Sequence, residues 1–155
     1  MSERFTIRRA STADLETLVA HRRAMFRDMG YNDEATLDSM SVKFRVWLLK
    51  RMSAGDYHAW LAAAPDGSIV AGAALWLMDW PPHMIGHSER RGNILNVYTA
   101  ENFRRRGLAR QLMEAILLWY RENDIDTIIL HASPAGRKLY ESMGFISSNE
   151  MRLRT

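Results

Sequence analysis

Four of the seven residues from Arg104 to Arg110 are arginines, and Gly107 stands among them. Arginine offers a planar fork of N–H donors matched to phosphate oxygens. Glycine lets a backbone approach an anion closely. A helix beginning at that glycine would present N–H groups without carbonyl partners, at the end where the helix dipole favours negative charge. The stretch Arg104-Arg105-Arg106-Gly107-Leu108-Ala109, with Arg110 behind it, therefore reads as a diphosphate site, and Ala109 is small enough to leave room for one. On charge alone, a solvated basic helix start is the alternative. Nucleic-acid binding fits less well, because few aromatic residues interleave with the arginines and Gly107 would have no purpose.

The elements needed to place that turn are legible. Phe5 to Ala10 reads as a strand. Ser11 and Asp14 form a capping-box pattern that predicts a helix to about Met29, and Asn32 and Asp33 are caps for a second helix over Glu34 to Met52. Val42, Val46 and Leu49 share one face of that helix. Tyr57 to Ala64 and Ser68 to Met78 flank the turn Pro65-Asp66-Gly67 and predict an antiparallel hairpin, the second strand apolar enough to be central. Trp80-Pro81-Pro82-His83 opens a loop to about Gly92. Asn93 to Thr99 is a strand, Gly107 to Asn123 a helix with Leu108, Leu112, Ala115, Ile116 and Trp119 facing the sheet, Thr127 to His131 a strand, Pro134 to Met143 a short helix, and Phe145 to Leu153 a last strand. The layout is α/β with α+β character on one mixed sheet, in one domain spanning 1–155.

Composition narrows the chemistry. The chain has 155 residues, a net charge of +3 and no cysteine, which excludes disulfides, thiolate metal sites and a Cys nucleophile. His21, His58 and His131 lack metal-ligand spacing and read as structural, so no metal is expected. Met1 to Leu15 carries charges throughout and has no apolar core of a secretion signal. The apolar run Ile69 to Met78 is too short to span a bilayer. A cytoplasmic protein with no membrane partner is the expectation.

Two segments together resemble a known family. Arg104-x-x-Gly107-x-Ala109 after a strand looks like the pyrophosphate motif of the GNAT (Gcn5-related N-acetyltransferase) superfamily, Gln/Arg-x-x-Gly-x-Gly/Ala. Ser133-Pro134-Ala135-Gly136-Arg137-Lys138-Leu139-Tyr140, followed by Gly144-Phe145, resembles that family's Asn-x-x-Ala-x-x-x-Tyr with its Gly-Phe. Ser133 replaces the usual Asn and Gly136 the usual Ala.

The resemblance implies a central mixed sheet of six to seven strands, splayed at the cofactor site and flanked by about four helices. It implies transfer of an acetyl group from acetyl-CoA to a primary amine by direct attack in a ternary complex. The acceptor is expected to be a small molecule or amino acid. A protein or peptide N-acetyltransferase and a non-catalytic acyl-CoA-binding module stay open as alternatives. Coenzyme A would be held by Val97, Tyr98 and Thr99, the turn from Arg104 to Arg110, and Ser133, Arg137 and Tyr140. Tyr140 would be the general acid for the leaving thiolate. Some members carry a Glu at the position of Asn93, which cannot act as a base, so Asp79, His83, His87, Glu89 and Glu150 are the remaining candidates, with a proton relayed by water as the alternative. The acceptor would lie against Arg22, Arg23, Phe26, Asp28, Met29, Trp80 and His83. A second copy of the chain is a candidate partner, through its last strand.

Overall fold

The computed structural model describes residues 3–155. Five strands, β1 (Thr6–Arg9), β2 (Tyr57–Ala63), β3 (Ile69–Asp79), β4 (Arg90–Thr99) and β5 (Ile128–Leu130), form one sheet in sequence order. The pairs are antiparallel except β4 with β5, which is parallel. Helices α1 (Leu15–Asp28) and α2 (Glu34–Ala54) cover one face, and α3 (Leu108–Glu122) with α4 (Arg137–Ser142) covers the other.

Strand alternation divides the core between the two faces. Ala59, Leu61 and Ala74 meet Leu18, Val19, Phe44 and Leu48 of α1 and α2. Trp60, Ala62, Ala73, Leu75 and Ile94 meet Leu108, Leu112, Met113 and Ile116 of α3. β3 is buried on both faces over most of its length, as a central strand must be. The capping box is present: Ser11 Oγ accepts from the Ala13 amide and Asp14 Oδ2 from the Ser11 amide. It starts a 3-10 turn at Thr12–Asp14 that runs into α1. Gly55, at φ 79, closes α2 in the left-handed conformation glycine supplies without strain.

Two expectations are corrected. The buried face of α2 carries Leu37, Ser41, Phe44 and Leu48, while Val42, Val46 and Leu49 face outward and are exposed. Both sets follow a helical period, and packing against α1 and the sheet selects the one that carries Phe44. Phe145 to Leu153 forms no strand, so among the described residues the sheet has five strands rather than six or seven. β5 spends its one paired edge on β4, and the segment beyond α4 has no sheet partner, leaving Ile146, Met151 and Leu153 exposed.

Candidate active site

β4 and β5 are paired only from Gly92 with Ile128 to Ile94 with Leu130. Beyond that point the strands separate. The cause is visible in β4, where Ala74 faces Leu95 but Gly72 faces Tyr98, so one extra residue is inserted. The bulge centres on Asn96, whose φ is 56. A bulge bends and twists its strand and frees backbone from the ladder, and Asn tolerates this conformation better than most side chains. Val97, Tyr98 and Thr99 are left with a backbone edge that β5 does not cover.

The opening is a cleft of about 2150 Å³ that passes from the helix α3 side to the α1/α2 side. At one end stands the arginine turn. Gly107 has φ 77 and caps α3, and the amides of Leu108, Ala109 and Arg110 form its first turn, where no intrahelical carbonyl reaches them. These residues line the cleft. A Cβ built on Gly107 would meet nothing within 4 Å, so the glycine answers to backbone conformation and to open space above it. Arg104, Arg105 and Arg110 also line the cleft. Arg104 is steered by Asp28 (2.5 Å) and the Thr99 carbonyl (2.9 Å), and Arg110 by Ser142 Oγ (2.8 Å). Arg106 turns away, stacking on Phe103 and pairing with Glu3, and does not line the cleft.

The second motif forms the opposite wall. Ser133 Oγ accepts from the Gly136 amide (3.1 Å), so this side chain closes the turn before α4 and keeps its hydroxyl proton and one lone pair for another partner. Arg137 reaches Glu141 and Ser147, outside the cleft. Tyr140 is buried against the α3 core and lines the cleft, and burial pushes its phenol up, keeping it protonated. A Cβ on Gly136 would come within 2.9 Å of the Tyr140 ring. The glycine thus makes room for this tyrosine, a constraint that composition and spacing could not reveal.

The α1/α2 side holds the remaining polar groups. Arg22 donates to Asn96 Oδ1 at 2.7 Å, and Asn96 Nδ2 lies 3.3 Å from the Tyr57 hydroxyl. The guanidinium stands over the rings of Phe26 and Phe44, at 5.0 and 4.7 Å. Burial lowers the pKa of Arg22 and pushes that of Tyr57 up. Phe26, Met29, Asp28, Trp47 and Trp76 line the same space. So does Asn93, whose buried Oδ1 has no hydrogen-bond partner. Arg23 is taken up by Glu34 and Asp38 of α2.

Asp79, Trp80, His83, His87 and Glu89 are not brought to this cleft. Asp79 pairs with Arg90, six residues before Asn96 along β4, a distance of roughly 20 Å in extended chain. Trp80 is stacked under Arg91, and the loop is pinned where Asp126 accepts from the Ser88 amide. Glu150 likewise lies outside the lining, but it holds His131, whose Nε2 is 3.3 Å from Glu150 Oε1. His131 follows Leu130, the last residue of β5, and it is the only histidine lining the cleft among the described residues. The sequence signal available was its place one residue past a strand beside the splay, a signal that an isolated histidine does not make specific.

The profile of the acetyltransferase (GNAT) family matches residues 16–145. Among solved structures, a GCN5-related N-acetyltransferase from Ralstonia eutropha JMP134 is 36% identical, with TM-score 0.89 over 98% of this chain and 99% of that one. A predicted acetyltransferase with acetyl-CoA from Clostridium acetobutylicum is 26% identical, with TM-score 0.87 over 98% and 96%. The aminoglycoside N-acetyltransferase AAC(6')-Iy in complex with CoA shares the fold at 19% identity, with TM-score 0.68 over 100% and 96%. No curated protein matches the chain in sequence.

Proposed function

The chain belongs to the GNAT family of acetyltransferases, and from that premise we propose that it moves an acetyl group from acetyl-CoA to the primary amine of a small molecule. One observation carries the cofactor reading: the free first-turn amides of α3 and the uncovered edge of β4 open onto one cleft. The amides of Leu108, Ala109 and Arg110, with Arg104, Arg105 and Arg110, hold a diphosphate. The edge of Val97, Tyr98 and Thr99 holds an extended arm as an added strand would. Acetyl-CoA supplies the thioester on which the amine acts.

The protein's own groups handle the protons and charge. An alkylamine is mostly protonated at neutral pH and must lose a proton before it attacks. His131, oriented by Glu150, takes that proton directly or through water, imidazole being the commonest base for the task. A freed amide at the β4 bulge donates to the oxygen on which charge develops. Tyr140 provides the proton that the departing sulfur takes up. Asn93, at the place where a carboxylate would be the base, offers a neutral amide, with an acceptor at Oδ1 and donors at Nδ2, and cannot take the proton.

The test has two stages. Melting curves with rising acetyl-CoA concentration should shift upward as a ligand bound by the native state requires. Thiol release over a panel of amines, amino acids and peptides should then select small amines. No shift at millimolar acetyl-CoA would defeat the proposal, and a preference for peptide substrates would replace its acceptor.

A further inference from the structure

Arg22 is an arginine without a counter-anion. Among the described residues its neighbours Arg23 and Arg27 on α1 are paired with Glu34 of α2, and Arg23 also with Asp38, whereas Arg22 makes one hydrogen bond, to the neutral Asn96. A guanidinium has five N–H donors. Placing it between two phenyl rings removes much of its water, and leaving it unpaired there carries a desolvation cost. Asn96 also fixes it against the bulge where the two strands part.

The rest of the wall has the same sign. Seven of the eight charged residues lining the cleft are Arg or Lys, and the single acid, Asp28, is already paired with Arg104. Arg104, Arg105 and Arg110 are accounted for by the diphosphate. Arg22 and Lys43 on the helix side, and Arg152 and Arg154 from the C-terminal segment, are not. A polycationic acceptor would enter this space against repulsion, with no free carboxylate to receive it. Phe26, Phe44, Trp47 and Trp76 leave apolar surface beside the cation.

We infer that the acceptor is a primary amine carrying a carboxylate, of amino-acid type, and that Arg22 is the residue that binds the carboxylate. The inference rests on the acetyltransferase reading and narrows it to a substrate class. The carboxylate replaces the missing counter-anion through a charge-assisted pair. The apolar side chain lies against the Trp47 and Trp76 rings, and the amine is left facing the bulge. A guanidinium bound this way discriminates between an acid and its amide, because the amide returns the cation to its unpaired state.

The experiment compares matched acceptors on the intact protein: amino acids with apolar side chains, their amides, the corresponding decarboxylated amines, and aminoalkyl phosphates. Acetyl-CoA binding is read first from the melting shift, so that failure of the cofactor reading is seen separately. Acetyl transfer should favour the free acids over their amides by about tenfold or more in kcat/KM, the scale of one charge-assisted hydrogen bond. With coenzyme A present, the acids alone should raise the melting temperature further. Arg22→Gln should abolish the preference, chiefly through KM, and Arg22→Lys should restore part of it. A structural role for Arg22 would lower turnover of acids and amides alike. Equal use of acids and amides by the unaltered protein, a preference for phosphates or polyamines, or a preference for acids that survives in Arg22→Gln would each overturn the inference.

Discussion

The guanidinium of Arg22 and the side-chain oxygen of Asn96 are 2.7 Å apart, and this bond ties helix α1 to the bulge that opens the sheet. The two residues lie 74 positions apart in sequence. Asn96 is buried, adopts φ 56 and spends its amide on Arg22 and Tyr57. It therefore sets the strand geometry and the charge position together.

Asn96→Val should disrupt both. A β-branched residue at positive φ is strained by about 1–2 kcal/mol, and the lost hydrogen bonds add a comparable amount. The expected outcome is a melting temperature lower by several degrees and a smaller shift with acetyl-CoA. Asn96→Asp, which keeps the left-handed preference, should keep more of that shift. A valine variant that melts and binds like the parent would show that the bulge does not depend on this side chain.

Gly107→Val separates folding from binding. The position costs a non-glycine residue about 1–2 kcal/mol, but a Cβ there meets no protein atom within 4 Å. Stability should fall modestly. Affinity for coenzyme A, measured by calorimetry, should fall by more than that strain explains, since the side chain enters the space above the helix amides. A variant with parental affinity would place the diphosphate elsewhere.

Tyr140→Phe should lower kcat by about 10²-fold and leave the affinity for coenzyme A near its parental value, because only a proton donor is lost. His131→Gln should lower the rate most at neutral pH and less at high pH, where the amine deprotonates unaided. Gly136→Ala should imitate the tyrosine defect in milder form, through the 2.9 Å approach to the ring. A Tyr140→Phe protein with unchanged kcat would leave the phenol a packing role.

Much of this was legible because local chemistry and long-range packing agree. The Ser11–Asp14 box, the Asp66-Gly67 turn and the glycine before α3 specify their structures within a few residues, and α3 shows one unambiguous apolar face, Leu108, Leu112 and Ile116. α2 was not legible in the same way, since Val42, Val46 and Leu49 compete with Leu37, Phe44 and Leu48 and only the fold chooses between them. The apolar residues at the two ends of 145–153 allow a strand, but a strand needs a partner edge, which composition alone does not supply. The loop carboxylates and imidazoles around Glu89 were candidates by type. Register removes them, because β3 and β4 carry that loop to the end of the hairpin far from Asn96. His131 gave no specific signal because its partner Glu150 is 19 residues away.

His21 makes stability depend on pH in a defined direction. It is buried beneath α1 against Tyr98, with its ring at Gly72, and burial lowers its pKa from 6.5 to about 4. Below about 6.5 the unfolded chain binds a proton that the folded chain refuses. The contribution of neutral His21 is thus complete above that pH and is lost as pH falls through the window to about 4, by about 3 kcal/mol in all. Burial also lowers the pKa of His58, in the same direction, and carboxylates contribute at the acid end, so the parent protein alone does not isolate the effect. A comparison with His21→Met does, because every other group is shared. As pH falls from 7 to 4 the melting temperature of the parent should fall by more than that of the variant. Parallel curves would mean that this imidazole takes its proton without leaving the fold.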